Sequence, residues 1–476
     1  MAINPILDKG PKVVQTDIGS KDGQNKCPQC GATDISVNAK TGKLRCNFCR
    51  HEFEPEKVEG LETDISKIEG EIIGSGTQDI VQDTQSVVTF KCSSCGAEVV
   101  IDTSESAQAR CHWCRNTLSV NHQIPNGTFP DVVLPFKVTK AEAKKQIEDF
   151  VGKRKFFAHP KFREEFTTEN IMGVYFPYMA VDINSHASYE GYGEHEVRRY
   201  VRRNGNNTTT YYDADLYEVE REFDLTINGL TVEASADKLN KKNSNKTNNI
   251  INAIMPFDIE NSAKYNANYL KGYTSEKRDV NIEKLRPLVD VQSKDIARFS
   301  ANETLKQYDR GVLWQTENLE IKGKQWKSAY LPVWLYSYQQ IKGDKSLLHY
   351  VAVNARTKET MGSVPIHIPK LFGISCLVEL LGIIAMLFAD DFDYAWLFSL
   401  SGFIYFFVMY MKYRNTNARH HHETETKTNM FNIKKGDTLI KRKTGLTNST
   451  MDGANNKKVS GQTMSETLMN SFTNFK

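Results

Sequence analysis

The chain has 476 residues, of which 61 are Lys or Arg and 58 are Asp or Glu, so its formal net charge is +3. This length suits about two to four domains of ~100 to 200 residues each. The mean hydropathy of −0.50 leaves most of the chain in water and excludes a protein built mainly of membrane-spanning helices.

The N-terminal segment, residues 1–24, is expected to be disordered. It begins MAINPILDKGPKVV and lacks the charged segment followed by an apolar segment that a cleaved signal peptide requires. Any targeting to a membrane must therefore be encoded further along the chain.

Eight of the nine cysteines form a repeated pattern of two CxxC pairs separated by fifteen residues. The second set repeats the first at one constant offset, and the flanking sequences repeat too: KCPQCGA matches KCSSCGA, and RCNFCR matches RCHWCR. This spacing is typical of a four-cysteine zinc site, in which each CxxC turn presents two thiolates to one tetrahedral ion. The predicted ligands are Cys27, Cys30, Cys46 and Cys49 for one Zn²⁺ and Cys92, Cys95, Cys111 and Cys114 for a second.

Residues 25–55 and 89–120 are each predicted to form a small three-stranded zinc ribbon. Disulfide bonds are the alternative, but this part of the chain is expected to lie in the reducing cytoplasm. Four thiolates leave no open coordination position, so both ions should be structural, and the neighbouring His51 and His112 should be surface residues. Apolar residues at equivalent positions would form each small core: Phe48 and Phe53 in the first ribbon, Trp113 and Leu118 in the second.

An acidic segment, residues 56–88, joins the two ribbons. From Glu52 to Asp83 there are ten acidic residues and two lysines, a composition typical of a flexible, self-repelling linker. Such a segment would also repel a polyanion, which argues against nucleic acid as the partner of the ribbons.

Residues 128–240 and 251–369 are interpreted as two copies of one α+β unit. The first copy contains Leu-Pro-Phe at 134–136 and the second contains Met-Pro-Phe at 255–257. In the first copy a helix follows, and Thr139 and Glu142 have the spacing of a capping box at its start.

Each copy then reaches an aromatic strand that contains a proline. These strands are VYFPYMAVDI around Pro177 and AYLPVWLYSY around Pro332. Because proline cannot donate a ladder hydrogen bond, both are predicted to lie at a sheet edge or a bulge.

The first copy continues as an alternating sequence around Asn204-Gly205, which predicts a β-hairpin. Four arginines precede the turn, and a period of two places Arg198 and Arg202 on one face and Arg199 and Arg203 on the other. One interpretation is a solvated hairpin whose arginines pair with nearby acids. The other is a site for an acidic partner or anionic lipid headgroups. The candidate acids are Glu194, Glu196, Glu218 and Glu220.

Two apolar runs within residues 371–411 predict a helical hairpin that crosses a membrane twice. The connector, ADDFDY, is acidic, whereas the outer flanks carry Lys and Arg, so the positive-inside rule places both flanks in the cytoplasm. The alternative is a buried hairpin of a soluble core, but neither run has the polar stripe of such helices. We therefore expect a multi-pass protein of the plasma membrane with its N- and C-terminal parts in the cytoplasm.

One acid, Glu379, lies near the middle of the first apolar run. An acidic side chain at the membrane midplane is costly, so it should face protein. In an antiparallel hairpin Ser401 and Tyr405 are the groups best placed to hydrogen-bond it. Glu379 is read either as an internal contact of the hairpin or as a recognition point for a membrane partner.

The tail, residues 412–476, contains twelve Lys or Arg and five Asp or Glu. Its charge is +7, and the rest of the chain carries −4. Long polar runs predict a basic, disordered segment close to an anionic inner leaflet. The run His420–His422 is read either as a metal-binding tract or as part of the polar tail.

The ribbons resemble the TFIIB-type zinc ribbon. Together with the LPF segment at 134–136, the YFPYM and YLPVW segments at 175–179 and 330–334, and the late hairpin, they resemble a bacterial family. This family is the membrane-anchored double zinc-ribbon proteins of Gram-positive bacteria, of the YdjG type. The resemblance implies a cytoplasm-facing scaffold that works beside PspA-like (phage-shock-protein-A-like) and flotillin-like (SPFH) proteins at a stressed membrane.

The predicted fold class is multidomain, with two small β zinc ribbons, a duplicated α+β middle region and a C-terminal two-helix transmembrane hairpin. No enzyme is expected, because GxxxxGK, HExxH and GxSxG are absent and the one cysteine outside the ribbons, Cys376, lies in an apolar run. The leading hypothesis is a membrane adaptor that binds protein partners and has two structural Zn²⁺ ions. The alternative is a membrane-tethered regulator that binds nucleic acid.

Overall fold

The structure is a computed structural model that describes most of the chain after residue 130 and parts of the chain before it. The described ranges are 11–16, 27–32, 35–38, 43–54, 63–79, 130–204, 207–235, 252–265, 267–270, 273–276, 278–342, 345–387, 395–414 and 421–447, with residues 41, 56, 58 and 61 and short backbone strands between 87 and 124.

Ten short strands precede residue 130. They are β1 (Lys12–Val14), β2 (Ile35–Val37), β3 (Leu44–Cys46), β4 (Glu52–Phe53), β5 (Gly70–Gly74), β6 (Val87–Lys91), β7 (Glu98–Asp102), β8 (Ala109–Arg110), β9 (Thr117–Leu118) and β10 (Gln123–Ile124). The strands that follow include the longest ones. They are β11 (Val132–Val133), β12 (Met172–Asn204), β13 (Asn207–Glu233), β14 (Ala263–Lys264), β15 (Thr274–Glu276), β16 (Val312–Lys342), β17 (Lys345–Asn354), β18 (Thr360–Gly362) and β19 (Lys427–Leu446).

Six α-helices lie within the described ranges. They are α1 (Lys140–Gly152), α2 (Pro160–Glu165), α3 (Ile282–Glu303), α4 (Ile368–Leu387), α5 (Ser401–Arg414) and α6 (His422–Glu425). The predicted capping box is confirmed at the start of α1, where Glu142 N donates to Thr139 Oγ1 and Thr139 N donates to Glu142 Oε2.

One large sheet organises the molecule and contains fourteen of the described strands. Its main path is β1-β5-β16-β12-β15-β7-β6-β10, with β13 and β19 extending from β12 and with β17 and β18 extending from β16. Strands β12, β13 and β16 have 33, 27 and 31 residues, far beyond the usual ~3–10. Helix α3 covers part of this sheet with Leu285, Val289 and Ile296, which are fully buried against the long strands.

The two proline-containing aromatic strands, β12 and β16, lie side by side in this sheet. They are antiparallel, and their register places Tyr175 opposite Pro332 and Pro177 opposite Tyr330. The two Tyr-x-Pro motifs therefore lie directly opposite each other in the antiparallel ladder.

The prediction that these prolines mark an edge or a bulge is wrong, because both strands are internal. Away from their shared ladder, β12 changes partner from β15 at residues 174–175 to β13 from residue 178. In the same way β16 changes partner from β11 at 329–330 to β17 from 333. Each proline lies in the gap between two partner strands, where its missing N–H is not needed.

Three segments predicted to be irregular are ordered. The prediction of a disordered N-terminus is wrong for residues 11–16, because β1 pairs with β5 and buries Val14. The prediction of a flexible acidic linker is wrong for residues 63–79, because β5 lies between β1 and β16 and buries Ile73. The prediction of a disordered tail is wrong for residues 421–447, because β19 pairs along most of β13. The acidic composition of the first segment predicted disorder although β5 contains a short apolar stretch. The basic composition of the tail likewise gave no sign that β19 is complementary to the acidic strand β13.

Basic residues of β19 face acidic residues of β13. Arg442 binds the Asp215 carboxylate at 2.7 and 2.9 Å, and Lys434 binds Glu222 at 2.9 Å. The sequence predicted that the basic tail lies close to a membrane. In the structure, the described part of the tail instead neutralises an acidic strand of the same chain.

Within the described residues one helix, α4, is long and apolar enough to cross a membrane by length and composition. The chain after it forms a 3₁₀ segment, Ala395–Leu400, and then α5, which returns alongside α4. Gly402 N donates to Glu379 Oε2 at 2.7 Å, whereas the Ser401 hydroxyl donates to Val378 O at 3.2 Å. Glu379 therefore has an internal hydrogen bond, but the donor is the backbone of α5 and not the predicted Ser401 hydroxyl.

Candidate metal centre

The first four cysteines converge on one point. The Sγ atoms of Cys27, Cys30, Cys46 and Cys49 all lie within 4.8 Å of one another. Cys27 Sγ is 3.6 Å from Cys49 Sγ, and Cys30 Sγ is 3.5 Å from Cys46 Sγ. Thiolates bound to one Zn²⁺ at ~2.3 Å in a tetrahedron are separated by about 3.8 Å, so the arrangement fits a four-coordinate metal ion.

Two tight turns place these thiols. In the first, Gly31 N donates to Cys27 O at 2.8 Å, and Gly31 has φ +74°, which glycine adopts without strain. In the second, Arg50 N donates to Cys46 O at 2.9 Å, with Arg50 at φ 62°. The two CxxC turns therefore have closely similar backbones although different residues build them.

The turns are held by a three-stranded sheet of β2, β3 and β4, as predicted for the first ribbon. Ile35 and Leu44 are its buried apolar residues, and they join the apolar cluster that includes Tyr269 of the main body. Phe53 is partly buried against this cluster, but the prediction for Phe48 is wrong because its ring is 81% exposed. Because residues of the body complete the core of the ribbon, Phe48 is not needed inside.

The environment of one thiol in the site, that of Cys46, favours the thiolate form. Cys46 Sγ accepts a hydrogen bond from Cys49 N at 3.5 Å, and this backbone donor leads the interactions that lower the pKa of Cys46 to about 7. Because the thiolate is the form that binds metal, the turn prepares Cys46 as a ligand. His51 is exposed and stacks on Phe53 with ring centroids 6.0 Å apart, as expected for a residue outside the ligand set.

The second set of predicted ligands, together with Trp113 and His112, lies outside the described residues. The described strands nearby repeat one strand pair of the first ribbon, but not its three-stranded sheet, because β7, at the position equivalent to β2, pairs with β6 and β15 of the large sheet. Strand β3 pairs with β4 at Leu44↔Phe53, and β8 pairs with β9 at Ala109↔Leu118. The offset between these two pairs is the same on each strand, and it equals the offset between the two sets of cysteines.

The arginine-rich hairpin forms where the sequence predicted it, with Asn204 opposite Asn207. Arg199 binds Glu196 through two hydrogen bonds of 2.8 and 2.7 Å. Arg198 and Arg202 both lie over the Tyr200 ring, 5.3 and 5.4 Å from its centroid, which confirms that they share a face. The tip therefore combines one ion pair with two arginines stacked on an aromatic ring.

Sequence reasoning missed a buried carboxylate, Asp131. It is 0% exposed and accepts hydrogen bonds from Gly76 N at 2.7 Å and from Ser328 N at 2.9 Å, as well as from the hydroxyls of Thr16 and Thr77. These donors belong to segments up to 197 residues away, so the only local signal was an acid directly before an apolar strand. Asp131 fixes the N-terminal strands on the main sheet and has no described contact that suggests chemistry.

Comparison with known proteins gives a distant similarity. The chain is 23% identical over 350 residues to the uncharacterized protein YdjG of Bacillus subtilis (strain 168), a match that covers 72% of this chain and 89% of that protein. No protein-family model and no solved structure matches the chain. The chain is therefore distantly similar to YdjG, a protein of a Gram-positive bacterium, and the name of this relative does not indicate an activity.

Proposed function

We propose that the chain is a membrane-anchored adaptor that holds its zinc ribbons and large sheet on the cytoplasmic face of the plasma membrane and binds protein partners there. The observation that carries this proposal is the exposure of α4. Phe372, Leu377, Leu381 and Leu387 are 62%, 62%, 64% and 67% exposed on a helix of 20 residues. Apolar side chains in such number are stable in a lipid environment and costly in water.

The proposed anchor is a hairpin in which α5 and its preceding 3₁₀ segment cross the membrane a second time. Phe403, Ile404 and Val408 expose more than half of their surface, like the apolar residues of α4. Glu379 is compatible with this placement because its carboxylate accepts the Gly402 N–H inside the hairpin.

The base of the hairpin has the composition of a membrane interface. Lys370 Nζ donates to Phe156 O at 2.8 Å and lies 3.8 Å from the centroid of that ring, and Arg154 Nε donates to Lys412 O at 3.1 Å. Phe156 is 58% exposed. An exposed aromatic ring among cations at the end of an apolar helix suits the headgroup region, with the sheet on the positive, cytoplasmic side.

For partner binding, we propose the exposed Phe48 ring of the first ribbon and, by the sequence repeat, Trp113 of the second. Phe48 lies between two ligand cysteines, next to exposed Arg45 and Arg50, and Trp113 occupies the equivalent position in the second ribbon sequence. Aromatic residues and arginine dominate the binding energy of protein interfaces. The ribbons, each with its own structural Zn²⁺, would then present two such contacts. By the family resemblance, PspA-like and SPFH proteins are the partner classes to test.

Reporter fusions test the anchor. Fusions after Thr128 and after Asn448 should be active only in the cytoplasm, and a fusion after Asp393 should be active only outside. Reporters placed on opposite sides by the Thr128 and Asn448 fusions would leave one crossing and rule out the hairpin.

Binding of purified PspA-like and SPFH proteins to the full chain in membranes tests the adaptor role. The paired change Phe48→Ala and Trp113→Ala should weaken binding at least about tenfold while the zinc content is unchanged. Val291→Ala, which removes an exposed apolar side chain of α3 outside both the ribbons and the proposed anchor, is the matched control. Equal binding by wild type and the paired variant would reject the ribbon tips as the contact.

The second candidate is a membrane-tethered regulator that binds nucleic acid. The hairpin tip favours it, because Arg198 and Arg202 form a cationic, aromatic surface over Tyr200. Against it, Lys43 of the first ribbon is already paired with Glu54 at 2.9 Å. A salt-dependent mobility shift with DNA or RNA that is lost in Arg198→Ser with Arg202→Ser would favour the regulator. No shift at low salt would eliminate it.

A further inference from the structure

A second cluster of metal-ligating side chains lies outside the ribbons. Asp295 of α3 meets His422 and Glu423 of α6, and one potential ligand atom from each lies within 4.8 Å of the others. His422 Nε2 is 3.5 Å from Asp295 Oδ2 and 3.6 Å from Glu423 Oε1. The cluster joins two parts of the chain that lie on opposite sides of the hairpin in sequence.

The spacing in this cluster is that of ligands around an ion. Both His422 distances exceed the ~2.7–3.2 Å of an N–H···O hydrogen bond. An ion that holds nitrogen and oxygen at ~2.0–2.2 Å in a tetrahedron separates those atoms by about 3.3–3.6 Å.

Burial and neighbouring groups also suit a cation. The Glu423 side chain is 2% exposed, that of His422 is 13% exposed and that of Asp295 is 16% exposed. Arg298 Nη1 donates to Asp295 Oδ1 at 3.1 Å, and the other oxygen, Oδ2, lies 3.5 Å from His422 Nε2. Arg298 is also bound by Glu317, so it is shared between two carboxylates. An outer residue that orients a ligand in this way is a regular feature of metal sites.

The short helix α6 fixes two of the three side chains. His421 O accepts hydrogen bonds from Thr424 N at 3.1 Å and Glu425 N at 2.9 Å, which closes one turn and holds His422 and Glu423 against α3. Strand β19 begins shortly after this turn, at Lys427. The cluster therefore sits where the chain rejoins the main body after α5.

We propose that Asp295, His422 and Glu423 form a divalent transition-metal site with three protein ligands and a fourth position for water. One imidazole with two carboxylates suits Zn²⁺ or Mn²⁺, and the absence of thiolate from these three ligands separates the site from the ribbons. The bound ion would fasten the segment after the hairpin to α3, and so would connect the returning chain to the helix that covers the sheet.

The site is tested in the full chain in detergent, with zinc retained in the ribbons and loosely bound metal removed by dialysis. Mn²⁺ is then the one metal added, and its binding is measured by electron paramagnetic resonance. Mn²⁺ prefers oxygen and nitrogen ligands, so the thiolate ribbons should not contribute. Wild type should bind one Mn²⁺ per chain at this site, and Asp295→Asn or His422→Ala should weaken that binding at least about tenfold. His421→Ala, which changes the adjacent histidine, should bind like wild type.

A zinc count provides the second measurement. After saturation with Zn²⁺, His422→Ala should carry one ion fewer than wild type, and Cys46→Ser should lose a ribbon ion while it retains the Mn²⁺ site. Asp295→Asn preserves side-chain volume, so it answers the question even if His422→Ala does not fold. Identical Mn²⁺ binding and identical zinc content in wild type and Asp295→Asn would overturn the site without affecting the proposed adaptor function.

Discussion

The first ribbon and the β13–β19 pair are held together in opposite ways. In the ribbon, four thiols within 4.8 Å organise a short segment around one point. Along β13 and β19, many backbone pairs and side-chain ion pairs distribute the stabilisation over a strand of 20 residues. Stability that depends on a central ion is lost all at once, whereas a distributed ladder loses it in small steps. A single substitution at a cysteine ligand should therefore unfold the ribbon, whereas a single substitution along β13 and β19 should lower the stability only in part. Four predictions test this contrast.

The largest effect is expected from Cys46→Ser. Because the ribbon has few buried apolar residues of its own, we expect metal binding to supply most of its folding free energy, which is ~10–16 kcal/mol in isolated zinc modules. The variant should lose one zinc per chain and expose β2–β4 to rapid hydrogen exchange. Cys111→Ser should likewise remove one zinc from the second site. Cys376→Ser is the control, because this cysteine belongs to α4, and it should leave the zinc content unchanged. Full zinc retention in Cys46→Ser would contradict the central role of the ion.

The next effect concerns a fully buried cation of the ladder. The Arg221 side chain is 0% exposed and its guanidinium lies 2.9 Å from Asp437, which also accepts a hydrogen bond from Tyr308 at 2.7 Å. Asp437→Ala leaves Arg221 without this counter-charge. Breaking a buried pair costs ~3–5 kcal/mol, and because Asp437 is 33% exposed we expect about 2–3 kcal/mol.

Native-state hydrogen exchange measures this loss as a lower opening free energy for β19 and the adjoining part of β13. Amides in the β12–β16 ladder are the internal control and should keep their protection. An unchanged exchange rate in β19 would mean that backbone pairing alone holds the strand.

Acid should loosen the same ladder by a smaller amount. Arg442 lowers the pKa of Asp215, and Lys434 lowers that of Glu222. A carboxyl with a lowered pKa in the folded state stabilises fully above its ordinary value near ~4 and loses that contribution as pH falls through the folded value. Exchange of β19, corrected for the intrinsic effect of pH, should therefore rise between about pH 5 and 2 and stay constant between about pH 6 and 8. A constant rate down to about pH 2 would show that these carboxylates contribute nothing to the strand.

The smallest effect is expected from Lys434→Ser. Lys434 is 72% exposed, and exposed ion pairs contribute little because solvent screens them. Exchange of β19 should match that of wild type within error. A large loss of protection would show that surface charge, and not the ladder, holds the strand in place.

Features that depend on residues close together in the sequence could be predicted, whereas contacts between distant segments could not. The spacing of Cys27 to Cys49 defines a tetrahedral site within one short segment, and the structure brings these thiols together. The prediction for Phe48 is wrong because Ile35 and Leu44 find their apolar partners in the body, at Tyr269 among others. A ribbon considered alone gives no reason to place an aromatic residue outside its core.

The same limit explains the tail and the second cluster. Charge counts describe residues 412–476 only by their net positive charge. In the structure, Arg442 and Lys434 each bind one particular carboxylate, 227 and 212 residues earlier in the chain. The histidine run at 420–422 is a candidate metal tract by sequence. Its partner Asp295 lies within the apolar periodicity of α3 and carries no sequence mark of its own.

The position of β19 imposes an order on biosynthesis. Residues 427–446 leave the ribosome after α4 and α5, so the β13 edge stays open until the hairpin segments have been made. At ~5–20 residues per second, synthesis from Glu233 at the end of β13 to Leu446 at the end of β19 takes about 10–40 seconds. In the proposed topology, insertion into the bilayer comes first and closure of the sheet comes second. Until β19 has been made, the nascent chain presents an open strand edge, the kind of surface on which quality-control systems and aggregation both act.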